Sequence, residues 1–444
     1  MGGSQRDAGL VRAVGPWSLA ANILSMIIGA GIFAVPGALA ACMGPYAPLA
    51  FLACGVAIGA VALCWAEGGS RMPTSGGAYG YIEAAFGPLT GYIAGTLLWF
   101  GDVLACGGVA AALADAVVSV LPPSLRAAIH AAAIVAVIGG IVAVNISGGL
   151  RRGARLVNLT TVLKLAPLAV FVLAGVWAIH GANFAPPAKV STQGMGRALI
   201  LALFALSGME ASLSISGEVR QPASTIPRAL AIALGSALAL YVAIQVTAQG
   251  ILGSSLAHSG APLVDAMARL SPALRMLMLI GTAVAMLGWL SSDLLSSPRV
   301  VFAFARDGLL PRVLGRLHPR TNVPHIAILC YAALAAALAL TGTFAELAVL
   351  AMLATAPLYI AGCAAAWRLK RRGVAMAGAP LNVRWMGAAA LVGIGCMMAL
   401  IAAASRAEIL GLLAVIGASA AIYVAQTRLR RGARPSKVAA RPGL

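Results

Sequence analysis

The first hydrophobic segment of this chain breaks in its own middle, and that break limits what the chain can become. It runs Asn22-Ile-Leu-Ser-Met-Ile-Ile-Gly-Ala-Gly-Ile-Phe-Ala-Val-Pro-Gly37, with Gly29, Ala30 and Gly31 and then Pro36 where a spanning helix would reach mid-membrane. Glycine raises the cost of helix there, and proline removes a backbone donor. Amides and carbonyls freed in this way cannot be left facing lipid, so they must line a cavity inside the protein. Discontinuous helices of this kind build small-molecule sites at the bilayer midplane.

Composition supports the membrane setting. The 444 residues are 61% hydrophobic and 10% charged, whereas a soluble domain carries about a quarter charged residues. Between Arg12 and Glu67 there is no formally charged residue, which leaves room for two spans of about 20 residues each. The stretch outruns the apolar region of a secretory signal and shows no convincing cleavage site. Hydrophobic runs at about 17–41, 46–66, 88–120, 127–147, 156–180, 197–217, 227–252, 273–304, 324–342, 344–367, 385–404 and 407–427 predict an all-α polytopic membrane protein of about twelve transmembrane helices. They form one transmembrane domain over 1–427, followed by a basic tail at 428–444.

The net charge of +19 could point to nucleic acid, but the placement of the cations argues against it. Arg151, Arg152 and Arg155, Arg299 to Arg320, Arg368 to Arg372 and the tail all fall on one side if the N-terminus is inside. The other side keeps only Arg126, Lys189, Arg197, Arg269, Arg275 and Arg406. That asymmetry predicts cytoplasmic N- and C-termini in a cell (inner) membrane. The tail then reads as an orientation signal in contact with anionic lipid.

The seven cysteines lie within or at the ends of predicted spans, without metal spacing, and read as small core residues. The five histidines are scattered near span ends. No catalytic cluster and no GxxxxGK[ST] loop is visible, so the expectation is a non-enzyme without cofactor or ATPase activity.

A second break follows five segments later. Segment six reads Leu203-Phe-Ala-Leu-Ser-Gly-Met-Glu-Ala-Ser-Leu-Ser-Ile-Ser-Gly-Glu-Val-Arg220, with Ser207 and Gly208 at its middle and Glu210 at membrane depth. Paired breaks five apart imply two five-helix inverted repeats, about 17–180 and 197–367, with helices 11 and 12 (about 385–427) appended.

Five motifs in this order resemble the amino acid–polyamine–organocation (APC) superfamily of permeases, in its basic amino acid/polyamine antiporter-like group. They are Gly29 to Phe33, Arg71 to Tyr81 and Asn158 to Leu165, then Phe204 to Glu210 with Gly217 to Pro222 and Ile226 to Arg228, and lastly Pro298-Arg299 leading to Ala305 to Pro311. The resemblance covers nearly the whole chain and implies the APC fold with discontinuous helices 1 and 6. In it, the Ser75-Gly76-Gly77 stretch with Tyr79 and Tyr81 is similar to the loop that closes the inner gate. Arg306-Asp307-Gly308 reads as an inner helix stop with an ion pair.

Residue chemistry and resemblance then assign a site. Amides at Gly29, Ala30 and Gly31, at the positive end of a half-helix, suit a carboxylate. The carbonyls of Ile27, Phe204, Ala205 and Ser207 suit an ammonium group, so a zwitterion fits both ends. The resemblance implies the same grip on an amino acid, and it places Phe204 over the bound substrate. The plainer alternative for the glycines is a hinge for close helix packing. Lys164, in an otherwise neutral span, matches the lysine that in sodium-independent members stands where sodium-coupled relatives bind a cation. Glu210 matches an acidic position of proton-linked members, with a structural hydrogen bond as the alternative.

Asp102 and Asp293 sit mid-span in segments three and eight. They are expected either to receive a cationic side chain, such as that of arginine, lysine, ornithine or a polyamine, or to serve structure as a paired or protonated group. The expected function is secondary active amino acid transport, proton-coupled or by exchange and without sodium, with a cationic substrate favoured over a neutral one. Small molecule, protons and lipid bilayer are the expected partners, and a homodimer is compatible. A channel, a nutrient sensor and a membrane-embedded enzyme are the rival classes; a channel would not need paired breaks.

Overall fold

A computed structural model describes residues 14–29, 31–72, 77–119, 121–185, 190–210, 219–306, 308–321, 323–376 and 379–432. Ala30, Ser75-Gly76, Lys189, residues 211–218 of segment six, Asp307 and the basic tail beyond 432 lie outside them.

Among the described residues there is no strand, only an isolated bridge between Val14 and Val219. Segment one forms two helices, α1 (Pro16–Ile27) and α2 (Gly31–Met43), and segment two is α3 (Ala47–Arg71). A short α4 (Gly77–Phe86) precedes segment three, α5 (Pro88–Val118). Segments four and five are α6 (Pro123–Leu163) and α7 (Leu165–Gly175), and the first half of segment six is α8 (Thr192–Leu206). Segment seven is α9 (Pro222–Leu252), followed by the short α10 (Pro262–Ala268) and by α11 (Pro272–Ser296) with α12 (Pro298–Arg306). The remaining segments are α13 (His325–Thr341), α14 (Phe344–Arg371), α15 (Met386–Ala402) and α16 (Arg406–Gly432).

Among the described residues, seven helical stretches are long and apolar enough to cross a membrane, and α1 and α8 are among the shorter apolar helices. Half-length helices are what broken segments should leave. The helix starts follow local chemistry. Proline opens α1, α5, α9 and α11, where its fixed φ suits the first turn and no donor is needed. Ser191 and Ser271 cap α8 and α11 by accepting from Gly194 N and Leu274 N at 3.0 and 3.1 Å. Thr343 and Glu346 form a capping box at α14. At the end of α12, Gly308 takes φ +69° and its amide donates to Ala305 O at 3.0 Å, so the predicted helix stop is present.

The two broken segments cross antiparallel. Arg220 N donates to Val14 O at 2.9 Å, so segment one enters the bundle where segment six leaves it. At the opposite end, a Cβ on Gly194 at the start of α8 would lie 2.8 Å from Cys42 O at the end of α2. Between those ends α2 packs on α8 and α1 packs on α9, while α5 runs through the bundle against α11, α13, α14 and α16. Glycines permit these approaches: a Cβ on Gly107 of α5 would lie 3.0 Å from Ala335 O of α13.

One expected boundary differs. The basic stretch Arg151 to Arg155 is expected between segments four and five, but α6 continues through it as helix. His130 near the start of α6 pairs with Asp115, and His180 beyond α7 donates its amide to Gly250 O, both at the end of the bundle opposite Arg71 and Arg220. A straight helix from His130 to Leu163 would be about 50 Å long. The run from His130 to Leu163 therefore departs from a straight helix.

Candidate functional site

The helix of segment one stops because Ile28 leaves the helical region, at φ −74° and ψ 69°, while its amide still bonds Leu24 O at 2.8 Å. Gly29 then turns tightly enough for its amide to reach Ile27 O at 2.7 Å. Opposite, α8 ends at Leu206, and Gly208 takes φ +115°, a conformation that favours glycine. The two breaks touch: a Cβ on Gly208 would lie 2.9 Å from Met26 O, and one on Gly31 would lie 3.1 Å from Ala205 Cα.

Between them is a cavity of about 100 Å³. Its walls include Ile27, Gly29 and Gly31 of segment one, Phe204, Ala205, Ser207 and Glu210 of segment six, Asp102 of α5 and Asp293 of α11. Nine of the residues singled out from the sequence are thus brought together. Ala30 lies outside the described residues. Lys164 is buried outside the cavity wall, where its ammonium donates to Ser25 O on α1 and so links segment five to segment one.

The main-chain groups are not all free. Ile27 O accepts from Gly29 N and also from the hydroxyl of Tyr241, at 2.7 Å each, which uses both of its lone pairs. Phe204 O accepts from Ser207 N at 3.2 Å and from Ser207 Oγ at 2.7 Å. Of the four carbonyls expected to receive an ammonium group, two already have partners in this conformation. Tyr241, fully buried on α9, was not visible as a site residue from the sequence, because nothing local connects it to residue 27. Tyr241→Phe should lower stability by ~1 kcal/mol, since Ile27 O keeps its second donor; thermal unfolding of the purified protein measures this.

Among the described wall residues there are three carboxyl groups and no lysine or arginine. Both oxygens of Glu210 lie 3.1 Å from Gly208 N, and Tyr359 of α14 donates to Oε2 at 2.9 Å. Glu210 therefore braces the break of its own segment. Tyr331 of α13 donates to Asp293 Oδ2 at 2.5 Å. Ser297 Oγ stands 2.8 Å from Asp293 Oδ1 and 2.8 Å from Asp102 Oδ2. Asp293 is buried with both oxygens engaged, while Asp102 is half-buried with one oxygen engaged.

Trp289 adds an apolar wall, since a Cβ on Gly29 would meet its ring at 2.5 Å. Phe204 packs edge-on against Phe344, with ring centroids 5.9 Å apart. Ser297 and Trp289 were legible in principle, because they stand four residues either side of Asp293 and so share its helix face. Tyr331 and Tyr359 come from distant segments and had no local signal. Among the described residues no group of histidine, cysteine and carboxylate side chains is placed to hold a metal ion.

The model of a family described as amino acid permease matches residues 14–405. An uncharacterized transporter of Mycobacterium tuberculosis is 37% identical over 337 residues, 72% of this chain and 71% of its own length. The methylthioribose transporter of Bacillus subtilis is 26% identical over 338 residues, covering 72% of each chain. Cationic amino acid transporter 9 of Arabidopsis thaliana, a chloroplastic protein, is 27% identical over 329 residues, 70% of this chain and 58% of its own.

Proposed function

The chain belongs to the amino acid permease family of the APC superfamily, and from that premise we propose that it is a secondary active transporter of an amino acid, or an exchanger of one for its amine. The observation that carries the reading is the pair of antiparallel helix breaks meeting on one small cavity with carboxylates on its wall. A zwitterion places its carboxylate at the start of α2, at the positive end of that half-helix. Its ammonium group sits toward segment six, where the carbonyls of Ala205 and Ser207 complement it. Phe204 and Trp289 cover the apolar part of the substrate. Alternating access then exposes the cavity to each side in turn, with cytoplasmic termini in the cell membrane and without ATP.

A cationic side chain or amine is the favoured cargo, because half-buried Asp102 keeps one oxygen for it. A neutral amino acid is the second reading. It is favoured by Asp293, whose oxygens are both taken by Ser297 and Tyr331. Counterflow in proteoliposomes with labelled arginine, alanine and putrescine, with and without a proton or sodium gradient, separates the two. Arginine or putrescine exchange is expected, and uptake of alanine alone would select the neutral reading.

Lys164 supports sodium independence. Its ammonium occupies the Ser25 carbonyl beside the first break, where a bound cation would otherwise be needed. Lys164→Ala is expected to reduce uptake about tenfold to a hundredfold, as a hydrogen bond from a charged group is worth ~1.5–3 kcal/mol. Uptake by the variant that keeps its pH dependence, or stimulation of the native protein by sodium, would contradict this role.

A further inference from the structure

The hydrogen-bond count around Ser297 goes further than the transport reading on which it rests. A serine hydroxyl has one hydrogen to donate. Ser297 Oγ nevertheless stands at 2.8 Å from both Asp102 Oδ2 and Asp293 Oδ1. It donates to one carboxyl and accepts from the other, and a carboxyl can donate only when it carries a proton. Asp293 also accepts from Tyr331 at 2.5 Å, which favours the ionised form on Asp293 and the proton on Asp102. Two carboxylates joined on the wall of a buried cavity repel each other, so a shared proton is the low-cost state.

We propose that Asp102 and Asp293 hold one proton between them through Ser297, and that a cationic substrate side chain displaces it. On arrival of an amine or guanidinium at the open oxygen of Asp102, the Asp102 O–H bond breaks and its proton passes to cavity water. The incoming cation takes over its charge. Loading the cavity then exchanges one proton for one organic cation, and departure of the cation restores the proton. Coupling thus resides in the wall that reads the side chain, while Glu210 braces the break.

The groups facing the pair are consistent with this balance. Cys106 of α5 bonds Asp293 as a neutral thiol partner. Tyr331 of α13 donates, Glu210 beyond α8 is held by Gly208 N and Tyr359 of α14, and Arg299 of α12 donates to Leu295 O. Lys164 is committed to Ser25 O. No cation among the described wall residues stands in for the proton.

Infrared difference spectroscopy of the purified full-length protein in lipid reads the carboxylic-acid C=O stretch directly. At neutral pH a band is expected that Asp102→Asn removes, that Asp293→Asn also removes or shifts, and that Glu210→Gln retains. L-arginine should bleach the band, whereas L-alanine should not. No band, or a band unchanged in both aspartate variants, overturns the shared proton. A band that survives arginine, with thermal stabilisation showing that arginine is bound, overturns the displacement. If neither arginine nor putrescine binds, displacement falls together with the cationic-cargo reading, and the band still decides the shared proton.

Discussion

Gly208→Ala should abolish transport while leaving a folded protein. The residue sits at φ +115°, and its missing side chain is where segment six meets segment one: a Cβ would lie 2.9 Å from Met26 O and 3.1 Å from Met26 C. Both atoms belong to backbone, which cannot rotate away as a side chain end can. Strain at such a φ costs ~1–3 kcal/mol, and the contact with Met26 forces the breaks apart in addition. A penalty of ~3 kcal/mol falling on this conformation alone corresponds to on the order of a 100-fold loss of uptake. Gly59→Ala is the matched control, because a Cβ there meets nothing within 4 Å and alanine favours helix. Counterflow on the two variants, each normalised to folded protein by size-exclusion profile, decides the matter. Near-native uptake by Gly208→Ala would remove the tight break from the mechanism.

How much of this was legible beforehand depended on the range of the signal. The breaks at Gly29 and at Ser207–Gly208 announce themselves locally, because glycine and proline act on their own backbone. So do the helix starts at Pro16, Pro88, Pro222 and Pro272, and the twelve hydrophobic runs. Family motifs ordered along the chain placed the breaks in one fold, and the match over 14–405 agrees. Asp102 and Asp293 were identified as mid-span carboxylates, and the structure brings them to a common serine. What stayed hidden was pairing across segments: Tyr241 on Ile27, Tyr331 on Asp293 and Tyr359 on Glu210. A tyrosine in a hydrophobic run carries no mark of which carbonyl or carboxylate its hydroxyl will reach. The stretch Arg151 to Arg155 misled for a related reason. Charge marks the membrane side on which residues lie, but it does not say whether the backbone there is loop or helix.

Glu67→Ala should cost the most stability of any single carboxylate removal in this chain. Glu67 and Arg71 form an i,i+4 pair at the basic end of α3, with the guanidinium 2.7 Å from Oε1, and both side chains are buried. The pair is also a fastening. Val383 N donates to Glu67 Oε2 at 2.6 Å, and Arg71 donates to Val374 O at 3.0 Å. Leu381 N donates to Ser70 Oγ at 3.1 Å, and Met376 N donates to Arg71 O at 2.9 Å. One helical turn of α3 therefore grips both ends of the connection between α14 and α15. Loss of Glu67 strands a buried guanidinium and orphans an amide at once. Breaking one side of a buried ion pair costs ~3–5 kcal/mol, a large share of the stability of an ordinary domain. Arg71→Met should be milder, because the Glu67 carboxyl it leaves unpaired can take up a proton and still accept from Val383 N, whereas a stranded guanidinium cannot shed its charge. Thermal unfolding of both variants in the same detergent orders them, and a smaller shift for Glu67→Ala than for Arg71→Met would mean that the Arg71 tie to Val374 O, rather than the stranded guanidinium, sets the cost.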